Sequence, residues 1–149
     1  MYEHGVGVSQ DYLQAADWYR KAAEKGFAEA EYGLGFLYLN GYGLPKDFSQ
    51  ASNWMLKAAE QGETKAQFNL GVSYHNGEGV NQDLKEGYFW IYLANARTID
   101  SGLKQYAENA LREDAEVMKK SDIKSAQKRA QEWLKSHPVN PGQPIEPGS

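Results

Sequence analysis

Three histidines are the residues best suited to bind a metal ion in this chain, which has no cysteine. His4, His75 and His137 lie far apart, and none has a second histidine or a carboxylate at a spacing typical of a metal site. We therefore expect no metal ion and no cofactor. The lack of cysteine also excludes disulfides and thiolate ligands, and it leaves the cellular compartment undetermined.

Ser121 and Lys124 are the residues whose spacing could support covalent catalysis. They form S-x-x-K, the nucleophile motif of penicillin-binding proteins and serine β-lactamases, but the companion motifs Ser-Asp-Asn and Lys-Thr-Gly do not occur in the sequence. An N-cap serine followed by a solvated lysine explains the same four residues. We expect no enzyme activity, and a β-lactam-reactive enzyme is the alternative.

A Gly-x-Gly pair occurs three times at an offset of 36 residues, at positions 5/7, 41/43 and 77/79. Each pair is predicted to follow a helix instead of a strand, and the rest of a phosphate-loop fingerprint is missing. A fixed period of this length is typical of stacked structural repeats. The sequence therefore favours recognition of another molecule over catalysis.

Each period is predicted to contain two helices. In the second period the first helix covers residues 28–39, and Gly41 follows it where a positive φ ends a helix. The second helix begins at Asp47, with Gln50 at capping-box spacing. The recurring cap pairs are Asp11 with Gln14, Asp47 with Gln50, and Asp83 with Glu86, and the recurring residues that we expect to be buried are Trp18, Trp54, Trp90, Ala22, Ala58 and Ala94.

These recurring columns resemble the Sel1-like repeat family, a relative of the tetratricopeptide repeats. The resemblance covers residues 1–97 and implies an all-α protein, a right-handed α/α solenoid of helix hairpins. It divides the chain into a partial repeat 1–26 and repeats 27–62 and 63–97. The residues that match the family pattern in one repeat are Ala30, Leu34, Gly35, Tyr38, Gly41, Gly43, Leu44, Asp47, Ala51, Trp54, Met55, Ala58, Ala59 and Gly62.

The first repeat lacks almost all of its first helix, because Met1 and Tyr2 align with Leu37 and Tyr38. An apolar flank of that repeat would then be exposed, since each helix pair is covered by its neighbour. We expect the chain to be a fragment of a longer array. Self-association through the incomplete N-terminal repeat, or a partner that covers it, is the alternative.

Residues 98–136 depart from the period and are predicted to form two C-terminal capping helices. The first covers residues 101–120, and Ser121 is the expected N-cap of the second. Residues 137–149 form a Pro/Gly-rich tail, for which we expect either a polyproline II strand or disorder. The apolar residues of the two helices are Leu103, Tyr106, Ala107, Ala110, Leu111 and Met118, followed by Ile123, Ala126, Ala130, Trp133 and Leu134.

Charge and hydropathy exclude two classes of partner. The net charge is −4 with both signs interspersed, and no basic stripe is present, so we expect no binding to nucleic acid. No apolar run approaches the length of a membrane span. The localisation stays open between the cytoplasm and, if a signal peptide precedes this sequence, the periplasm or the exterior.

The resemblance also implies a binding surface on the concave side of the solenoid, where the first helix of each pair lies. Aromatic and aliphatic residues in the middle of that surface, with polar residues at its rim, suit a peptide or a protein loop. The alternative is that Tyr32, Phe36 and Phe68 only fill the seam between adjacent first helices. The positions carried over are Glu29, Tyr32, Phe36, Leu39 and Asn40 in one repeat and Lys65, Phe68, Val72, His75 and Asn76 in the next.

The function that follows from these observations is a non-enzymatic protein–protein interaction module that holds a peptide or protein partner. The resemblance suggests bacterial roles such as envelope scaffolding, binding of a host factor, or immunity against a secreted toxin. The residues do not select one of these roles.

Overall fold

The computed structural model describes residues 2–138, with side chains from residue 11 onward, and within that range it contains helices and no strand. The prediction of an all-α protein is therefore confirmed. The predicted tail lies almost entirely outside the described residues, as does the side chain of His4. The seven helices are α1 (Tyr2–Glu24), α2 (Ala28–Asn40), α3 (Phe48–Glu60), α4 (Thr64–Asn76), α5 (Leu84–Arg97), α6 (Ser101–Val117) and α7 (Lys120–Ser136).

Helices α2 and α3 form one hairpin, and the predicted start of α3 is confirmed. The carboxylate of Asp47 accepts a hydrogen bond from the Gln50 backbone N–H at 3.1 Å, which satisfies one free donor at the helix start. In a full capping box, the side chain three residues later would accept a hydrogen bond from the N-cap N–H. Here the Asp47 N–H donates instead to the Tyr38 carbonyl at 3.0 Å. This bond ties the start of α3 back to the end of α2. Asp83 repeats both bonds in the α4–α5 hairpin.

The first repeat differs from the prediction, because α1 is continuous from Tyr2 to Glu24. Gly5 and Gly7 therefore lie inside a helix, and the expected N-cap at Asp11 is wrong. In the later repeats the glycine turn is fixed by hydrogen bonds to the preceding helix, such as Tyr42 N–H to Leu37 O at 3.0 Å. No helix precedes α1 among the described residues, so nothing there holds the chain in a turn.

The second glycine of each later pair contacts the preceding repeat. Gly43 has φ +74°, and a Cβ placed on it would lie 2.6 Å from the backbone carbon of Tyr12 on α1. Gly79 has φ +77°, and its Cβ would overlap the carbonyl oxygen of Phe48 at the start of α3. Glycine is therefore required at this position for two reasons, which are the left-handed backbone and the close contact between repeats.

Most of the buried core lies where α3, α4, α5 and α7 meet. It contains Met55, Leu70, Phe89 and Leu93, and the cap helix α7 adds Ala126 and Ala130. A smaller cluster of Ala23, Ala30 and Leu34 joins α1 to α2. Helix α7 is thus part of the main core, because alanine on one side lets it lie close to α5.

The three tryptophans of the repeat column have very different environments. Trp90 is 4% exposed and belongs to the main core. Trp54 is half-buried, and the ammonium of Lys57 lies 4.5 Å from the centre of its ring. Trp18 is 64% exposed, so the prediction that it is buried is wrong. Trp18 is exposed because no described helix covers that side of α1.

Helices α6 and α7 begin and end a few residues from the limits predicted for the capping helices. Helix α6 ends at Val117, and Lys119 is the N-cap of α7, so Ser121 lies within the first turn of α7 and is not its cap. The Lys119 carbonyl already accepts the Asp122 and Ile123 N–H groups, which starts the helix earlier. Tyr106 is also exposed, against the prediction.

Arg97, the last residue of α5, fixes the end of α7. Its guanidinium donates to the Leu134 carbonyl at 3.1 Å and to the His137 carbonyl at 2.8 Å. A cation at a helix C-terminus satisfies free carbonyls and interacts favourably with the helix dipole. The end of α7 is thereby joined to the last repeat.

None of the helices between residues 2 and 138 combines the length and the apolar character that crossing a bilayer requires.

Candidate functional site

The ten predicted binding residues lie on α2 and α4, the first helices of the two complete hairpins, and we call this the first-helix surface. Glu29, Asn40 and Asn76 are exposed. Phe36 is 38% exposed, which is high for a phenylalanine. The half-exposed members are Tyr32, Leu39, Lys65, Phe68, Val72 and His75.

Tyr32 lies in the seam between the two first helices. Its hydroxyl is hydrogen-bonded to the Asn69 side chain of α4, and its ring packs against the main core cluster. Burial, followed by the nearby Glu63 carboxylate, raises the pKa of the Tyr32 hydroxyl. Tyr32 therefore joins the helices, whereas Phe36 one turn later is open to solvent.

Four aromatic rings form a continuous group across α1, α2 and the loop after α2, which we call the aromatic strip. Tyr12 and Tyr42 stack with ring centres 4.7 Å apart and planes 14° apart. Tyr42 is 6.1 Å from Phe36, and Phe36 is 6.1 Å from Tyr32. Such offset and edge contacts are favourable between aromatic rings, so they hold the rings of the strip in place.

Tyr12 and Tyr42 were not among the predicted binding residues. Tyr42 stands between two glycines of the turn, where the other repeats have Val6 and Glu78. The column therefore does not recur, and the 36-residue period gives no signal for Tyr42. The signal available in the sequence was the unusual aromatic residue itself, at a turn position that is normally exposed.

His75 makes a polar contact that joins the first-helix surface to α6. Its Nδ1 lies 2.9 Å from Oδ1 of Asp114 on α6. The Asp114 side chain is 2% exposed, and its Oδ2 has no hydrogen-bond partner within residues 11–138. Burial raises the pKa of the Asp114 carboxyl, and His75 opposes that rise. Asp114 thus fixes the orientation of the half-exposed imidazole.

Asp114 is a second residue that the sequence analysis did not select. It stands seven residues after Ala107, on the side of α6 that is buried. A carboxylate in an apolar stripe is uncommon unless it is paired, and that position was the available signal. Its partner could not be found from sequence spacing, because His75 lies on a different helix.

Replacing Asp114 with asparagine is expected to make the protein more resistant to unfolding at mildly basic pH, by about 1–3 kcal/mol. The raised pKa means that the folded state holds the proton of the Asp114 carboxyl more tightly than the unfolded chain does. The stability that the protonated Asp114 carboxyl contributes is fully present below the ordinary carboxyl pKa. It is lost as the pH rises through the raised pKa of Asp114. Urea unfolding of both proteins between about pH 4 and pH 8 measures the effect.

The control for this prediction is Glu116→Gln, which removes an exposed carboxylate from the same helix. The stability of the Glu116 variant should follow that of the wild type at every pH. If the Asp114 variant also followed the wild type at every pH, the carboxyl would have no altered titration in the folded state.

The S-x-x-K motif lies at the start of α7, and the side chains of Ser121 and Lys124 are both exposed. Among the described side chains, no group of three or more His, Cys, Asp or Glu residues is placed to hold a metal ion. The chemical features that the structure does bring together are the aromatic strip and the His75–Asp114 pair.

The model of the Sel1 repeat family matches residues 1–27, 28–63 and 64–97. The chain belongs to the Sel1 repeat family. Sel1 repeats are generally protein-interaction modules, and the fold is typically a non-enzymatic scaffold. The helix pairs described above are therefore the hairpins of a Sel1-like α/α solenoid.

Two solved structures are similar to this chain. A protective antigen of uropathogenic Escherichia coli strains, described as displaying an SLR fold, is 31% identical over 84% of this chain with a TM-score of 0.77. A Sel1 repeat protein from Oxalobacter formigenes is 38% identical over 56% of this chain with a TM-score of 0.55. The chain spans 26% of the length of the antigen and 63% of the second protein. The search of curated proteins gave no significant match.

Proposed function

We propose that this Sel1 repeat protein is a non-enzymatic scaffold or adaptor that binds a peptide or protein loop on its first-helix surface, the concave side of the solenoid. The observation that supports the proposal is the aromatic strip, in which Phe36 and Tyr42 are each more than a third exposed. Exposed aromatic rings held rigidly are the usual anchors of protein interfaces, because they bury a large area at little cost in conformational entropy.

The polar residues of the first-helix surface suit the rim of such an interface. Asn40 and Asn76 offer exposed amides at the ends of α2 and α4, and Glu29 and Lys65 offer charges of opposite sign at the starts. Polar groups of this kind set the register of a bound peptide. The aromatic rings, which become buried when the peptide binds, supply most of the affinity. His75 lies on the same surface and is oriented by Asp114.

Selection of displayed random peptides against the intact protein tests the proposal. Peptides that bind the wild type should bind Phe36→Ala at least about tenfold more weakly, which corresponds to about 1.4 kcal/mol. Titration calorimetry with the purified peptides measures the change. Thermal unfolding of the variant checks that the fold is retained.

The matched control is Ile99→Ala, which removes an apolar side chain that is 63% exposed and lies in the link between α5 and α6. Its affinity for the selected peptides should equal that of the wild type. If the peptides bound Phe36→Ala as tightly as the wild type, binding would occur elsewhere. If both Phe36→Ala and Ile99→Ala weakened binding equally, binding would be unspecific.

A second candidate function is a structural role through self-association at α1. Trp18 and Leu13 are both more than half exposed on that helix, and large exposed apolar side chains favour contacts between molecules. Sedimentation of the protein samples used above distinguishes the two functions. A mass that rises with concentration, and that Trp18→Lys returns to the monomer value, supports self-association, and a constant monomer mass contradicts it.

A further inference from the structure

A cleft of about 420 Å³ opens between the end of α3 and the facing sides of α5 and α7. These are the second helices of the two hairpins and the last capping helix. The cleft is therefore built on different helices from the first-helix surface, which lies on α2 and α4. The cleft is separate from the proposed peptide site.

Aromatic side chains form the inner part of the cleft. Phe89 and Trp90 of α5 are buried and lie edge to face, with ring centres 4.9 Å apart. Trp133 of α7 is half-buried and completes the aromatic lining, and one face of its ring is already stacked on His137 with ring centres 3.9 Å apart. The guanidinium of Arg129 already lies 3.8 Å above the centre of the Phe89 ring. The cleft thus already contains one cation–π contact, between Arg129 and the Phe89 ring.

The charge at the rim of the cleft is negative. Arg129 is paired with both carboxylate oxygens of Glu86, so its charge is already balanced. Glu60 of α3 and Glu132 of α7 line the cleft, and neither has an ion-pair partner within residues 11–138. Two carboxylates near aromatic faces attract a cation, both by charge and by the negative faces of the rings.

Trp90 adds a polar group that is independent of the carboxylates. Its indole Nε1–H is buried and has no hydrogen-bond acceptor within the same described part of the chain. A buried donor without an acceptor is costly, and it is uncommon in folded proteins. A bound molecule that places a carbonyl oxygen beside its cation would satisfy this donor after a small movement of the Trp90 side chain.

We propose that this cleft binds an organic cation, with the guanidinium or ammonium between Glu60 and Glu132 and against the ring of Trp133. The cation is either a basic side chain of a peptide, whose main-chain carbonyl accepts from Trp90 Nε1, or a small free organic cation. Both sources share the same recognition chemistry. No covalent step is involved, because the cleft supplies only charge, aromatic faces and one hydrogen-bond donor.

The indole N–H signals of the four tryptophans provide a direct NMR test on the full chain. N-acetyl-arginine methylamide at millimolar concentration should shift the signals of Trp90 and Trp133 and leave that of Trp18 in place. The double variant Glu60→Gln with Glu132→Gln should weaken the apparent affinity at least about tenfold, which corresponds to about 1.4 kcal/mol. N-acetyl-glutamate methylamide should shift neither signal.

A matched control exists in the repeat itself. Glu24 occupies the same repeat position on α1 as Glu60 does on α3, and it is also exposed. Glu24→Gln should leave the titration unchanged. Because all three glutamates are exposed, the variants should unfold at the wild-type temperature, so a loss of binding cannot be attributed to loss of the fold.

The two sources of the cation are separated by a titration with tetramethylammonium. If it shifts the Trp90 and Trp133 signals as strongly as the arginine amide, the site takes free organic cations, and if the arginine amide is clearly stronger, the site takes a basic side chain. The proposal is overturned if neither probe shifts these signals, or if the double glutamine variant responds like the wild type. Phe36→Ala should bind the probes normally, which keeps this test independent of the proposed peptide site.

Discussion

Replacing Trp90 with alanine is expected to lower the free energy of unfolding by about 3–5 kcal/mol, the range for deletion of a large aromatic side chain from a core. Trp90 is 4% exposed and packs in the cluster shared by α3, α4, α5 and α7. The substitution leaves a cavity at the point where the last hairpin meets the capping helix, so the cap should loosen with it. Urea unfolding followed by circular dichroism measures the loss.

Trp18→Ala is the matched control, since Trp18 occupies the same repeat position and is 64% exposed. Its effect should stay within about 0.5 kcal/mol, as for most surface substitutions. Comparable losses for the two variants would mean that Trp18 is covered in solution, for example by a second molecule. Repeating the measurement at several protein concentrations distinguishes that case, because stability gained by association depends on concentration.

Gly79→Ala is expected to lower the free energy of unfolding by about 2–5 kcal/mol. A left-handed backbone costs a non-glycine residue about 1–2 kcal/mol, and forcing an extra carbon into a packed contact typically costs about 1–3 kcal/mol more. The atoms that the new Cβ would overlap are the backbone carbon and oxygen of Phe48. Backbone atoms cannot rotate away as a flexible side chain can, so the α4–α5 hairpin must move off α3.

Gly77→Ala separates the two contributions, because Gly77 lies in the same turn with φ +72°. Its Cβ would approach the Gln82 Cβ to 3.2 Å, which a small side-chain movement can accommodate. We therefore expect a loss of about 1–2 kcal/mol, from the left-handed backbone alone. Thermal unfolding of the two variants beside the wild type measures the difference, and equal losses would contradict the tight contact between hairpins.

The sequence predicted the local structure of the two complete repeats well. The start of α3 at Asp47 and the end of α2 before Gly41 follow from hydrogen bonds and φ angles within a few residues of each other. Such interactions are specified by residue type and short spacing, and the 36-residue period repeats them. The same local rules failed in the first repeat, where Gly5 and Gly7 lie inside α1. A turn there needs a preceding helix, and residue type does not supply one.

The candidate site shows the same division. The sequence placed Phe36 on the first-helix surface from its position in the repeat, and the structure leaves it partly exposed. The stacking of Tyr12 on Tyr42 could not be predicted, because Tyr12 lies on α1, Tyr42 lies in the loop after α2, and the two residues belong to different repeats. The partner of His75 was hidden for the same reason, since Asp114 lies 39 residues further along the chain.

By itself, the sequence determined that this chain forms helix hairpins of the Sel1 type, where most of the helices end, and which columns repeat. Only the tertiary structure decided that Trp90 is buried while Trp18 is exposed, that an aromatic strip crosses from α1 to α2, and that Glu60 and Glu132 face one cleft. The physical reason is the distance along the sequence between the residues that interact. Helix caps and turns depend on neighbours along the chain, whereas burial and ion pairing depend on which helices are present to cover a given face.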